Sequence, residues 1–149
     1  MLPQPVMACC RFGDQTIVIT GFLHAALVVT DLPRSAHFYG ELLGLPLADR
    51  PLDFPGIWYQ VGEMQLHLMT ADRVIPDRVN DQKWGRNRHL AFGVADLARL
   101  RQRLMAAGYG VQPSTSGRSA LFVTDPDGHI LELNAEFNAE FNAEPPALP

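Results

Sequence analysis

Three histidines and a glutamate occupy matched positions in this chain, at intervals that could place them around one metal ion. His24 is followed 43 residues later by His67, and His89 is followed 43 residues later by Glu132. Imidazole nitrogens and carboxylate oxygens are the donors that suit Zn, Ni, Mn, Co or Fe(II). A carboxylate buried without a partner is costly, and a bound cation offsets that cost. The spacing therefore predicts one divalent metal ion held by His24, His67, His89 and Glu132.

The matched spacing arises from an internal repeat. A shift of 65 positions places HAALVVTDL (residues 24–32) on HLAFGVADL (residues 89–97), and QLHLM (65–69) on ILELN (130–134). One offset shared by two separate segments indicates a tandem repeat. The predicted organisation is two modules over 21–70 and 89–134, a linker over 71–88, an N-terminal extension over 1–20 and a low-complexity tail over 135–149.

Each module has the pattern of a βαβββ unit. The Val-rich apolar run over 23–30 predicts a buried strand. Asp31 is a suitable N-cap for the helix that follows, and Gly44 is a suitable end for it after about Leu43. Asp96 and Gly108 bound the second helix in the same way. Three further strands are predicted in the first module, over 46–50, 57–61 and 64–69, and three in the second, over 110–113, 119–124 and 130–134. The apolar stripe of the first helix is predicted to comprise Leu32, Ala36, Tyr39 and Leu43.

Strand alternation predicts which way the candidate ligands point, because successive side chains face opposite sides of a sheet. Leu66 and Leu68 share one face, so His67 lies on the other, and Glu132 lies opposite its neighbouring leucines in the same way. The helices must cover the leucine faces, which leaves the candidate ligands on the concave faces. Trp58 and Gln60 share one face of their strand and are predicted to line a substrate pocket. Arg50 is a candidate for binding an anionic group of the substrate.

Composition limits the classes of protein that this chain can represent. With 149 residues, 47% of them hydrophobic and 19% charged, it has the composition of a globular domain rather than a disordered one. A net charge of -4 argues against binding to duplex nucleic acid. No apolar run reaches the roughly 18 residues of a membrane span, and no signal peptide is recognisable. The adjacent cysteines, Cys9 and Cys10, suit a reducing compartment, so a cytoplasmic location is expected.

Two further histidines, His37 and His129, do not share the repeat offset and are expected to lie on the surface.

The sequence resembles the vicinal oxygen chelate superfamily, which includes glyoxalase I, fosfomycin-resistance thiol transferases, methylmalonyl-CoA epimerase, bleomycin-resistance proteins and extradiol dioxygenases. The resemblance covers about residues 22–134 and is carried by HAALVVTDLPRSAHFYGELLGL, HLAFGVADL and FVTDPDGHILEL. It implies an α+β protein of two tandem βαβββ modules whose mixed sheets form cupped half-barrels around a divalent metal. It also implies a small-molecule substrate and a homodimer, because many relatives form the site between modules of different chains.

The resemblance leaves several reactions open. Likeness to glyoxalase I implies isomerase or lyase chemistry on a small substrate with adjacent oxygens, with Glu132 moving the proton and His67 where glyoxalases usually carry a carboxylate. Without His67, the set His24, His89 and Glu132 suits Fe(II) and an extradiol-type dioxygenase. Extradiol and fosfomycin enzymes both carry a tyrosine where this chain has Phe122. A non-catalytic small-molecule binder of the bleomycin-resistance type is a further alternative.

Overall fold

Two mixed β-sheets, each with one principal helix, make up residues 18–135, the part of the chain that the computed structural model describes. Cys9, Cys10 and nearly all of the predicted extension and tail lie outside these residues. The elements are β1 (His24–Val29), helix α1 (Leu32–Ala36) continuing into a π-helical segment (His37–Leu42), β2 (Gly56–Val61), β3 (Met64–Thr70), a 3₁₀ turn (Trp84–Arg86), β4 (His89–Gly93), α2 (Leu97–Ala106), β5 (Val111–Pro113), β6 (Ala120–Thr124) and β7 (Ile130–Asn134).

The sheet topology follows the repeat. The first sheet has the order β1-β3-β2 and the second has the order β4-β7-β6-β5. In each sheet the first strand of the module pairs in parallel with the last one, and the other neighbours are antiparallel. His67 is in register with Ala26 and Trp58, and Glu132 is in register with Ala91 and Phe122 in the corresponding positions. The predicted α+β fold is confirmed.

One predicted strand of the first module, 46–50, is reduced to an isolated bridge between Leu47 and Tyr59. Two backbone hydrogen bonds support this bridge: Ala48 N donates to Trp58 O at 2.8 Å and Gln60 N donates to Pro46 O at 2.9 Å. Pro46 has no N–H to donate, and a proline also follows at position 51, so the segment cannot extend the ladder in either direction. The first sheet therefore has three strands where four were predicted.

The predicted helix caps are confirmed. Asp31 accepts a hydrogen bond from Arg34 N at 2.9 Å, and Asp96 accepts one from Arg99 N at 2.9 Å. Gly44 and Gly108 follow the two helices with φ of 76° and 86°, a backbone conformation that glycine adopts without strain. No helix among residues 18–135 is long and apolar enough to cross a membrane.

The buried face of the first helix differs from the predicted stripe. The helix changes to π-type hydrogen bonding at His37, so Leu43 N bonds to Phe38 O. The wider π turn rotates the following side chains relative to an α-helix. The buried residues of this helix are Ser35, Phe38, Tyr39 and Leu42, whereas Leu32, Ala36 and Leu43 are only partly buried.

The two modules share one hydrophobic core and are joined by polar contacts around the turn at 125–129. Buried residues of both sheets belong to the same cluster. The Tyr39 hydroxyl donates to Asp125 at 2.8 Å, and the Thr30 hydroxyl donates to Asp127 at 2.6 Å. On the helical side, Arg103 Nη1 donates to Leu42 O at 3.1 Å. These contacts dock the β6–β7 turn of the second module onto the first.

The prediction of a surface position is confirmed for His37 and wrong for His129. His37 is exposed and lies 2.8 Å from Glu41. His129 is only 6% exposed, and its Nε2–H donates to Val28 O at 2.7 Å. Its Nδ1 lies 3.5 Å from Asp77, a buried linker carboxylate that also pairs with Arg88 at 2.6 Å. The linker and the β6–β7 turn therefore contact each other through Asp77 and His129. This contact joins distant segments, so the local sequence pattern does not predict it.

Gly128→Ala should destabilise the protein by roughly 1–3 kcal/mol, because a left-handed backbone and a steric contact act together. Gly128 has φ of 90°, and a Cβ placed there would lie 2.8 Å from Pro76 Cβ. Gly117→Ala is the matched control, since Gly117 has φ of 79° but open space around it. Urea unfolding should show a larger loss for Gly128→Ala than for Gly117→Ala. Equal losses would mean that the contact with Pro76 contributes nothing.

Candidate functional site

His24 and His67 form a stacked pair, which we call the first half-site, on the face of the first sheet opposite the buried Leu66 and Leu68. Their ring centroids are 4.1 Å apart with an interplanar angle of 14°. Trp58 stacks on the other face of His67, with centroids 4.0 Å apart and an angle of 6°. Burial lowers the pKa of His67, and the nearby His24 and Arg50 lower it further. The His67 imidazole is therefore favoured in its neutral form, with a lone pair available to a ligand or a proton.

His89 and Glu132 form the second half-site, on the face of the second sheet opposite the buried Leu131 and Leu133. His89 Nδ1 lies 2.7 Å from Asn87 O, so this nitrogen carries the proton and donates it to the carbonyl. In the neutral imidazole, Nε2 then presents a lone pair to Glu132 Oε2, which is 3.2 Å away. Two lone-pair groups facing each other repel unless a proton or a metal ion lies with them. This donor set therefore fits a cation.

The other oxygen of Glu132, Oε1, is held in place by two hydrogen-bond donors. Glu132 Oε1 accepts from Arg118 Nη2 at 3.1 Å and from Asn134 Nδ2 at 3.2 Å. The side chain is buried, so these two donors fix which oxygen faces His89. Asn134 lies two residues after Glu132 on the same strand face, a signal present in the sequence. Arg118 comes from a loop rich in serine, where nothing in the pattern indicated a contact with Glu132.

The linker covers the second half-site. The 3₁₀ turn Trp84–Arg86 lies against Phe122, and a Cβ on Gly85 would lie 2.6 Å from Phe122 Cζ. Trp84 N donates to Gln112 Oε1 at 2.8 Å, which fixes the turn to β5. Phe122 in turn meets His89 edge-on, with ring centroids 5.6 Å apart. The resulting cavity, about 270 Å³, has His89 and Glu132 in its wall; we call it the second cup.

The residues predicted to bind the substrate differ in how many of their polar atoms are already hydrogen-bonded within the protein. Trp58 lies beside His67 as described. Gln60 uses its amide within the β2–β3 hairpin: Nε2 donates to Gly62 O at 2.7 Å and to Met64 O at 3.0 Å. Arg50 Nη1 donates a hydrogen bond to the Leu52 carbonyl at 2.8 Å. The Arg50 guanidinium also lies 4.6 Å from the centroid of the Phe54 ring. Its Nε and Nη2 have no hydrogen-bond partner among the described residues.

The two half-sites do not meet within one chain. Across residues 18–135, no three His, Cys, Asp or Glu side chains come close enough to hold a metal ion together. The structure thus brings His24 to His67 and His89 to Glu132, as the repeat implies, but it keeps the two pairs separate. Each half-site offers two of the four predicted ligands.

A larger cavity, about 500 Å³, borders the second half-site, because His89 is among its lining residues. It opens between β1 and β4 beneath the linker, with Leu27, Val74 and Ile75 among its apolar walls. Its polar side is formed by the Asp77, Arg88 and His129 cluster, whose side chains are bonded to one another or to the backbone. Of the candidate ligands, this cavity has His89 alone in its wall, whereas the smaller second cup has both His89 and Glu132.

Comparison with known proteins identifies relatives over most of the chain. A model of the Glyoxalase/Bleomycin resistance protein/Dioxygenase superfamily matches residues 21–133. The glutathione transferase FosA of Serratia marcescens is 38% identical over 117 residues, covering 74% of this chain and 77% of that protein. The lactoylglutathione lyase of Pseudomonas aeruginosa is 28% identical over 147 residues, covering 75% and 80%. A solved glyoxalase family protein from Bacillus anthracis has a TM-score of 0.65 at 22% identity, covering 80% and 97%, a likeness of fold.

Proposed function

Because the chain belongs to the glyoxalase/bleomycin resistance protein/dioxygenase superfamily, we propose that it is a divalent-metal-dependent enzyme. Its chemistry would be that of an isomerase or lyase acting on a small substrate with vicinal oxygens. The observation that carries the proposal is the second half-site, where His89 Nε2 lies 3.2 Å from an oxygen of the buried Glu132 carboxylate. The relatives named lactoylglutathione lyase support the reaction class.

The metal would be held by His24, His67, His89 and Glu132, and when bound it would polarise the two adjacent oxygens of the substrate. Glu132 would move the proton. Arg118 and Asn134 hold Oε1, so Oε2, which lies 3.2 Å from His89 Nε2, would be the oxygen that takes the proton. Proton transfer from a carbon acid needs a base in a site with little water. Phe122, packed against Gly85, would limit the access of water to this side of the carboxylate.

The complete site is proposed to form between two copies of the chain. Members of the superfamily commonly form dimers. Since each half-site supplies two ligands and the pairs are separate within residues 18–135, the first half-site of one protomer would face the second half-site of its partner. A two-fold axis then creates two equivalent sites. His67, stacked between His24 and Trp58, would be a ligand or a second proton-transfer group opposite Glu132.

A second candidate function is transfer of a thiol, as the name of the relative FosA indicates. The 38% identity to this glutathione transferase favours it. It would use the same ligand positions, with Phe122 beside His89 in place of a tyrosine. Incubating the metal-loaded protein with glutathione and either a hemithioacetal or fosfomycin separates the two functions, because only one of the substrates should be consumed.

Metal content is the first test of the proposal. Protein purified without oxygen and without an affinity tag, then reconstituted with Zn, Ni, Mn or Fe(II), should hold about one ion per chain, as two equivalent sites per dimer require. His89→Ala and Glu132→Ala should each weaken metal binding by more than about 100-fold, since even residues outside the ligand set contribute 10–100-fold. His37→Ala is the control, because His37 is exposed and lies outside both half-sites.

The same experiment discriminates the alternatives. Full metal occupancy in both the His89→Ala and the Glu132→Ala variants would contradict the proposed ligand set. Activity only with Fe(II), accompanied by an oxygen-dependent colour change, would favour the dioxygenase. If the protein binds none of these metals under any condition, the remaining alternative is a non-catalytic protein that binds a small molecule.

A further inference from the structure

Two glutamines join His67 in a chain of side-chain hydrogen bonds, and we call them the glutamine pair. Gln60 and Gln65 are in register on the neighbouring strands β2 and β3, and Gln65 lies on the same strand face as His67, two residues later. Gln65 Nε2 donates to Gln60 Oε1 at 3.3 Å, and Gln65 Oε1 lies 2.9 Å from His67 Nε2. All three residues are partly buried. The glutamine pair therefore connects the His67 ring to the β2–β3 hairpin.

The hairpin backbone fixes the direction of these hydrogen bonds. Gln60 Nε2 donates to two backbone carbonyls, Gly62 O at 2.7 Å and Met64 O at 3.0 Å. A carbonyl oxygen can only accept, so Gln60 keeps its NH₂ group there and presents its oxygen to Gln65. Gln65 must then donate through Nε2, which leaves its own oxygen facing His67. An oxygen 2.9 Å from Nε2 requires a proton on that nitrogen, so neutral His67 is the Nε2–H tautomer with its lone pair on Nδ1.

The stacked rings and the glutamine pair restrain His67 in different ways. Stacking between His24 and Trp58 restricts the plane of the His67 ring. A half-turn about the Cβ–Cγ bond would leave the ring in that plane, so stacking alone does not determine which ring edge faces Gln65. The hydrogen bond to Gln65 selects the edge, and it is the only hydrogen bond that the His67 ring forms within residues 18–135. Nδ1 therefore remains free.

The glutamine pair has no counterpart in the second module. Gln65 is in register with His24, whereas the residue in register with His89 is the buried Ile130. His89 is held instead through Nδ1–H, which donates to Asn87 O at 2.7 Å. A hydrogen-bonding side chain at this register position is thus a property of the first half-site rather than of the repeat.

We propose that Gln60 and Gln65 are positioning residues, which hold His67 as its Nε2–H tautomer so that Nδ1 is the nitrogen that receives a metal ion or a proton. A hydrogen bond at one imidazole nitrogen sets the tautomer and orientation with which the other nitrogen acts. The role of Nδ1 rests on the proposed function, whereas the tautomer depends on the glutamine pair alone. The two half-sites then present different nitrogens, Nδ1 of His67 and Nε2 of His89.

The test is the protonation of each His67 ring nitrogen in the metal-free, full-length protein. It is measured by NMR after labelling histidine with ¹⁵N, at about pH 8, above the ordinary histidine pKa of about 6.5. The His67 signals are identified by their loss in His67→Gln. Wild type should hold the Nε2–H form in at least about tenfold excess over the Nδ1–H form, because the latter would place a lone pair against the Gln65 oxygen.

Three variants separate the glutamine pair from a general effect on the fold. Gln65→Leu should lower the excess of the Nε2–H form by at least about threefold, because the acceptor is lost. Gln60→Met should act in the same direction, although Gln60 does not bond to His67, because Gln65 loses the acceptor that orients its amide. Gln102→Leu, on the exposed side of α2, is the matched control and should leave the tautomer unchanged. A well-dispersed spectrum shows that each variant is folded.

Two outcomes in the metal-free protein would overturn the inference. One is a proton on Nδ1, rather than Nε2, of wild-type His67. The other is a tautomer ratio that Gln65→Leu and Gln60→Met leave unchanged. An effect of Gln65→Leu without an effect of Gln60→Met would reject the role of Gln60.

Adding Zn(II) to the wild-type protein then tests the nitrogen itself. His67 Nε2 should keep its proton when zinc binds, and direct ligation should also shift the Nδ1 signal. Loss of the Nε2 proton on zinc binding would overturn the assignment of Nδ1. A protein that has the expected tautomer but binds no Zn(II) would count against the proposed metal function alone, so the two failures are distinguishable.

Discussion

Mixing two variants that each lack one half-site should restore metal binding that neither variant has alone. One variant is His24→Ala/His67→Ala, and the other is His89→Ala/Glu132→Gln, in which glutamine keeps an oxygen for Arg118. In a heterodimer of the two, one site receives both intact pairs and the other receives none. Random exchange of subunits should therefore give about one metal ion per four chains, measured after co-expression and separation of the assembled protein.

The design separates a site between chains from a site within one chain. Each variant assembled only with itself has no site with all four ligands, so it serves as its own control for residual metal. If the mixture holds no more metal than the separate variants, although heterodimers are present, the half-sites do not complete each other across a dimer. Full metal binding by either variant alone would instead remove its mutated pair from the ligand set.

The pairing of His24 with His67 and of His89 with Glu132 could be predicted because the repeat and the strand period can be read directly from the sequence, whereas the single four-ligand site stays a prediction. The 65-residue offset places His67 and Glu132 at equivalent points, and alternation puts both opposite buried leucines. Those two facts required no knowledge of tertiary contacts. The helix caps at Asp31 and Asp96 were predictable for the same reason, since a cap depends on a few neighbouring residues.

The features that could not be predicted depend on contacts between distant segments. The burial of His129 requires Val28 and Asp77, which lie 101 and 52 positions away. The contact of Arg118 with Glu132 requires the loop after β5 to fold over the second sheet. The separation of the two half-sites is a property of how the modules pack together, and no periodicity within one module reports it. The same holds for the turn that places Gly85 on Phe122.

Asp125→Ala should cost about 3–5 kcal/mol of stability, the largest effect expected outside the candidate site. Asp125 is 3% exposed and accepts three hydrogen bonds: from the Tyr39 hydroxyl, from Asp127 N and from His129 N. Alanine would leave these donors without that acceptor, and a buried unsatisfied donor costs about 1–3 kcal/mol. Urea unfolding at neutral pH measures the loss. Asp49→Ala, at an exposed aspartate, should change stability by less than about 0.5 kcal/mol.

The stability contribution of Asp125 should also depend on pH in a defined direction. Burial raises the pKa of Asp125 above its ordinary 3.8, although His129 and the Tyr39 hydrogen bond oppose the shift. The folded protein therefore keeps a proton that the unfolded chain has already released. Stability must then fall as pH rises from 3.8 through the folded pKa, and it becomes constant above that value.

Asp125→Asn isolates this effect, because asparagine does not titrate in that range. The free energy of unfolding of wild type, minus that of Asp125→Asn, should decrease from below pH 3.8 upwards and then level off. A difference that is independent of pH would contradict the raised pKa. Tyr39→Phe removes a donor that favours the ionised carboxylate, so it should raise the pKa of Asp125 further. In that background the decrease should extend to higher pH, which ties the titration to the contact between the modules.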